Sequence, residues 1–157
     1  MSRWTLLLAL LLAPVGASAA VCRVMSGSAL SFGAYDLLAP TPRDSQMNLV
    51  VTCDGTGSPQ TVALSVRVNQ GAGGFGGTRR MAHTGGTGDF LEYGLYRDPA
   101  RSSVWGVSEG VNTVGAALAV PAAGSVSATF VIYGRIPARQ NARTGTYADA
   151  VQVTIDY

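Results

Sequence analysis

Apolar and polar residues alternate with a period of two along most of this chain, and helical periodicity is nearly absent. Met47, Leu49, Val51 and Cys53 share one face of a predicted strand, with Asn48, Thr52 and Asp54 on the other. Val62, Leu64, Val66 and Val68 alternate with Thr61, Ser65, Arg67 and Asn69. Val126, Ala128, Phe130, Ile132 and Ile136 alternate with Ser125, Ser127, Thr129 and Arg135. Tyr147, Val151, Val153, Ile155 and Tyr157 alternate with Ala148, Gln152, Thr154 and Asp156. Weaker patterns predict strands at 28–33, 90–97 and 111–120. Turn clusters separate the runs: Asp54-Gly55-Thr56-Gly57, Gly71 to Gly77, Gly85 to Gly88, Asp98-Pro99 and Pro121 to Gly124. Short strands of this kind predict an antiparallel sandwich or barrel with one solvated face per sheet.

The first 19 residues break this pattern. Arg3 precedes an apolar run from Trp4 to Ala13, Pro14 and Gly16 interrupt it, and Ala17-Ser18-Ala19 is a small-x-small sequence. That is the layout of a secretory signal peptide, with cleavage after Ala19 or Ala20. The run is too short for a spanning helix of about 20 residues. One domain is expected over 20–157. Cys22 and Cys53 then lie in an oxidising compartment and are expected to form a disulfide, with Cys22 on the first strand. A lipidated Cys22 is the competing reading, disfavoured by Val21 before it and by the unpaired Cys53 it would leave.

Composition narrows the function. Among 157 residues, 47% are hydrophobic and 13% charged, and the formal net charge is +2. All eleven basic residues are Arg, scattered along the chain, which gives no phosphate-binding footprint and argues against nucleic acid. One His and two Cys argue against a multi-ligand metal site. Three strings imitate catalytic motifs. Gly71-Ala72-Gly73-Gly74-Phe75-Gly76 fits a dinucleotide fingerprint, but no helical pattern follows to receive the pyrophosphate. Gly106-Val107-Ser108-Glu109-Gly110 fits a nucleophile elbow, but the sole His, His83, lies upstream of the serine. Asp54-Gly55-Thr56-Gly57 resembles one half of a carboxylate dyad and has no second half. No enzyme, cofactor or small-molecule substrate is expected.

Six strings carry a resemblance: Leu30-Ser31-Phe32-Gly33-Ala34-Tyr35, Val51-Thr52-Cys53-Asp54, Tyr93-Gly94-Leu95-Tyr96-Arg97-Asp98, Trp105-Gly106, Tyr133 to Gln140, and Gly145 to Tyr157. In this order and spacing the chain resembles the spore coat U domain family of archaic chaperone–usher pilus subunits. The resemblance implies an immunoglobulin-like antiparallel β-sandwich whose final strand comes from a chaperone or a neighbouring subunit. It implies a periplasmic pilus chaperone, an outer-membrane usher and other pilus subunits as partners. It also implies export through the periplasm to the cell surface, in adhesion or biofilm formation. Val151, Val153, Ile155 and Tyr157 would border the groove that accepts the donated strand. Phe75 and Trp105 are candidates for a surface-contact loop, as in an adhesin.

Ordinary subunits of that kind carry a donor extension of about ten residues before the first Cys. Here Ala20 and Val21 alone would remain, spanning about 7 Å. The expected subunit accepts a strand without donating one, which suits the fibre tip. The alternatives are a tip adhesin acting through its loops, and a spore-coat or extracellular-matrix protein.

Overall fold

A computed structural model describes residues 19–25, 29–74 and 78–157. The long alternating runs become the long strands. β2 (Arg43–Asp54) and β7 (Ser125–Ile136) pair over twelve residues, from Arg43 opposite Ile136 to Asp54 opposite Ser125. Leu49, Val51 and Cys53 of β2 and Phe130, Ile132 and Ile136 of β7 turn inward and are buried. β1 (Val21–Val24) adds to the far side of β2. On the other side of β7 come β5 (Phe90–Tyr96), β4 (Arg79–His83) and the two-residue β8 (Tyr147–Ala148). The six-stranded sheet therefore runs β1-β2-β7-β5-β4-β8.

A three-stranded sheet closes the core. β3 (Gln60–Val68) lies between β6 (Val114–Val120) and β9 (Val153–Asp156). Val62, Leu64, Val66 and Val68 of β3 face the six-stranded sheet in one shared core. All pairings are antiparallel. The architecture is the expected immunoglobulin-like sandwich. The expected leader lies outside the described residues up to residue 18.

Three features depart from the sequence reading. The strand expected at 28–33 is absent over residues 29–33, which run without ladder bonds. Side chains hold the segment instead: Arg43 Nε donates to Phe32 O (2.7 Å) and Ser45 Oγ to Ser31 O (2.5 Å). Phe32 fills the core above Gly134, where a Cβ would collide with Leu30 and Phe32. Gly134 thus marks the gap in the inward series of β7, and Phe32 supplies its side chain.

β4 was not anticipated, because its first residue is an arginine that points inward. Arg79 is 5% exposed. Its Nη2 donates to Val68 O (2.9 Å) and Trp105 O (2.7 Å), and its Nε to Asn69 O (2.8 Å). A planar guanidinium presents several donors in fixed directions, so one arginine can satisfy three carbonyls where a strand ends and a loop crosses.

The alternating run 147–157 is two strands, not one. β8 belongs to the six-stranded sheet and β9 to the three-stranded sheet. The chain changes sheets over residues 149–152.

Candidate functional site

β9 has one hydrogen-bonded neighbour, β3, in which Val66 lies opposite Ile155 and Val68 opposite Val153. Directly opposed residues share a face, so Ile155 and Val153 point into the core beside Val66 and Val68. Val66 and Val68 are 0% exposed. Val151, Val153 and Ile155 pack against the core but are half-buried, and Tyr157 is 57% exposed. Among the described strands, the other edge of β9 is unpaired.

β1 stands across this opening. It ends the six-stranded sheet as β9 ends the smaller one, and the two lie near one another. Val24 is opposite Val51, which is fully buried, so Val24 faces inward; yet it is exposed. An apolar seam therefore opens between β1 and β9. Along β9 its edge carries main-chain donors and acceptors with no ladder partner among the described strands, and its floor is apolar. That is the chemistry of strand addition: the main chain supplies hydrogen bonds, and alternate side chains enter the floor.

The two banks are fixed differently. Cys22 and Cys53 form a disulfide across β1 and β2, directly opposed in register, with Cα atoms 4.0 Å apart. Both half-cystines are buried, as the alternation of β2 predicts. Arg23 pairs with Asp54 on the outer face. Before β1, Ala20 is 4% exposed and Ala19 O accepts from Thr56 Oγ1 (3.0 Å). Residues 19–24 thus lie along their own domain.

The other bank is fixed by acceptors that the sequence reading did not single out. Asn69 Oδ1 accepts from Gln152 N (2.8 Å) and Gly71 N (3.0 Å). Asp149 Oδ1 accepts from Ala72 N (2.8 Å) and Gly73 N (3.1 Å), and its Oδ2 from the Tyr93 hydroxyl (2.7 Å). Burial first, then the hydrogen bond to Asp149, pushes the Tyr93 phenol well above its ordinary pKa. Burial pushes the Arg79 guanidinium down, opposed by Tyr93 and Asp149. The visible signal was Asp149 itself, a carboxylate at an apolar position of the alternating run.

This cluster also accounts for the glycine-rich string. Gly71 has φ +79°, and a Cβ there would collide with the Asp149 carboxylate. Gly71 to Gly74 form a loop lashed to the crossover, and the next described element is the strand β4. Phe75 lies outside the described residues. Trp105 corrects the expectation of a surface-contact residue: it is 0% exposed. Its Nε1 donates to Val66 O (2.9 Å), its N to Leu95 O (2.9 Å), and its O accepts from Arg79. It is a core plug between the sheets. Ser108 lies in a turn closed by Asn112, and both His83 ring nitrogens are engaged locally, Nδ1 by Gly85 N and Nε2 by Thr144 O. Among the described residues, no group of His, Cys, Asp or Glu is arranged to hold a metal.

Other strings of the resemblance are braces. Tyr35 OH donates to Pro137 O (2.7 Å) and accepts from Gln140 N (2.9 Å). The Gln140 amide bonds both the N–H and the C=O of Glu92 (2.8 Å each), continuing the ladder past the end of β7.

The structure is similar to that of the chaperone–tip adhesion subunit pre-assembly complex, CsuC–CsuE, from archaic chaperone–usher Csu pili of Acinetobacter baumannii. The TM-score is 0.60 at 20% identity, over 88% of this chain. This chain spans 40% of the matched one, and the likeness is one of fold. A chaperone–tip adhesin complex of CFA/I fimbriae aligns with a TM-score of 0.43 at 10% identity, over 83% of this chain and 39% of that one. In sequence, Protein U of Myxococcus xanthus is 32% identical over 156 residues, which cover 92% of this chain and 80% of the relative. The family described as Spore Coat Protein U domain matches residues 8–154. The chain belongs to the spore coat protein U domain family.

Proposed function

We propose that this chain is a non-enzymatic structural subunit of an archaic chaperone–usher pilus, exported to the cell surface. The observation that carries the reading is the seam: β9 offers an unpaired edge, and the inward Val151, Val153 and Ile155 beside it are half-bare. A periplasmic chaperone would fill the seam first. A strand from a neighbouring subunit would then replace the chaperone strand at the outer-membrane usher, without covalent chemistry. An open edge with apolar flanks aggregates if left bare, which gives the chaperone its task.

The reading extends to the distal tip of the fibre, in surface adhesion or biofilm formation. It is supported by residues 19–24, which lie in their own sheet, with Cys22 bonded to Cys53. That stretch is engaged and does not project toward another subunit. Immunogold labelling tests the position: label at fibre ends supports it, and label along the shaft overturns it. The family's description favours a second reading, a coat protein; label spread over a cell or spore surface without fibres supports that one.

The seam is tested by appending an alternating apolar–polar strand after Tyr157 through a short linker. The expected result is a monomer with a raised melting temperature, because a ligand of the native state stabilises it by mass action. A parent chain that already melts cooperatively as a monomer, with no gain from the strand, overturns the proposal.

A further inference from the structure

The opposite edge of the three-stranded sheet has its own pattern. β6 (Val114–Val120) bonds to β3 and, among the described strands, to no other. Edge strands usually carry a charge, a proline or a bulge, or are very short, because an unguarded edge pairs with other chains. The remaining edges are very short or belong to the seam, and those at the seam carry paired charges. β8 has two residues, β1 carries Arg23 paired to Asp54, and β9 carries Asp156 paired to Arg67. β6 has seven residues, Val-Gly-Ala-Ala-Leu-Ala-Val, with no charge and no proline.

Its outward face is Gly115, Ala117 and Ala119, all exposed. Across the ladder lie Ser65, Ala63 and Thr61 respectively. None of the seven residues that β6 presents to an approaching strand is charged. The sequence of β6 also reads nearly the same in both directions. An antiparallel pairing of two β6 strands about a two-fold axis at Ala117 sets Val114 against Val120, Gly115 against Ala119, and Ala116 against Leu118. Every opposed pair is uncharged, and on the inward side Ala116 meets the larger Leu118. Pro121 follows directly and has no N–H, so the ladder would be confined to these residues.

We propose that β6 pairs with β6 of a second copy of this chain, joining two three-stranded sheets into one of six strands. The contact is isologous and closed by its two-fold axis. It uses the edge remote from the seam, so a copy whose seam is filled can still make it. A contact of seven residues is weak between free subunits. It gains from multivalency where copies are arrayed in a layer.

The test is site-directed cross-linking of the full chain. Ala117→Cys puts two thiols directly opposite one another on the axis, within disulfide reach. Ala63→Cys lies on the same face one strand inward, and in the pair its two copies are separated by three strand spacings, about 14 Å. Under mild oxidation, Ala117→Cys is expected to give a disulfide-linked dimer at least tenfold faster than Ala63→Cys. Polymerisation through the seam leaves β6 unpaired and does not favour one cysteine. In sedimentation, Ala117→Arg is expected to weaken dimerisation of the strand-complemented chain at least tenfold, while the conservative Ala117→Val preserves it. Equal cross-linking rates for the two cysteines, or dimerisation unchanged by Ala117→Arg, overturn the proposal.

Discussion

β3 and β9 are adjacent strands whose inward residues are directly opposed, Val66 to Ile155 and Val68 to Val153. Both alternate cleanly, and both present branched aliphatic side chains to the same core. They differ in cover. β3 has a strand on each side and buries Val66 and Val68 completely; β9 has a strand on one side and leaves its aliphatics half-bare. A period of two reports which way a side chain points, and it is silent about what lies over it. The proposed function rests on that difference.

The closed region should be unforgiving. Trp105 is fully buried and donates to Val66 O. Trp105→Ala should cost about 3–5 kcal/mol, a large share of the roughly 5–15 kcal/mol that holds an ordinary domain folded. The measurement is denaturant unfolding of the strand-complemented chain. A loss below about 1 kcal/mol would show that the closed region is as loosely packed as the seam.

The disulfide is next in size. It closes a loop with a sequence separation of 31, for which chain-entropy arithmetic gives about 3–4 kcal/mol. Cys22→Ser with Cys53→Ser should lower periplasmic yield sharply and reduce the unfolding free energy by that order. Because the bond ties β1 to β2, it should also loosen one bank of the seam. Hydrogen exchange of β1 amides would then rise more than that of β7, and equal rises would break this account. Free thiols on both cysteines of the secreted wild-type protein would remove its basis.

Much of the closed region was legible in the sequence, and the reason is length. β2, β3 and β7 carry enough consecutive alternation to fix strand, face and, through Cys53, the direction of the disulfide. β4 escaped because its inward position is Arg79, a residue the alternation rule assigns to solvent; only three carbonyls converging at a strand end explain it. Residues 29–33 alternate weakly and are held by Arg43 and Ser45 side chains rather than by a ladder. Trp105, in a loop rich in Gly and Ser, suggested a surface aromatic, yet its indole N–H finds a partner only inside the sandwich. For the seam, the inward face of 151–155 could be read. Its bare state was legible only through the family resemblance, and the Asn69 and Asp149 clamps could not be read, since they depend on strand order.

A matched pair of substitutions sharpens the comparison itself. Val66→Ala and Val153→Ala remove the same atoms from the same face. In the chain without an added strand, the first should cost about 2–3 kcal/mol and the second about 1 kcal/mol or less, in proportion to burial. With a strand supplied at the seam, the cost of Val153→Ala should rise toward that of Val66→Ala. Costs that remain unequal with the strand bound would mean that it does not lie over Val153.

The smallest effect concerns the joint between the two regions. Tyr93 lies in β5 of the six-stranded sheet, and its hydroxyl donates to Asp149, where the chain leaves that sheet for β9. The hydroxyl bonds a carboxylate, yet Asp149 keeps the Ala72 and Gly73 amides, so Tyr93→Phe should cost about 1 kcal/mol at neutral pH. The pH dependence carries more information. Burial and the Asp149 bond raise the folded pKa of Tyr93 above its ordinary 10.0, so the folded state favours the protonated phenol. That contribution is fully present below pH 10 and is lost as pH rises from there through the folded pKa. Wild type should therefore lose stability above pH 10 faster than Tyr93→Phe, and the gap between the two should close. All that the two proteins share cancels in the difference. Parallel profiles from pH 8 to 12 would show that this hydroxyl does not tie the closed sheet to the crossover. The position of the β9 edge would then rest on Asn69, on the bonds of Asp149 to Ala72 and Gly73, and on the main chain.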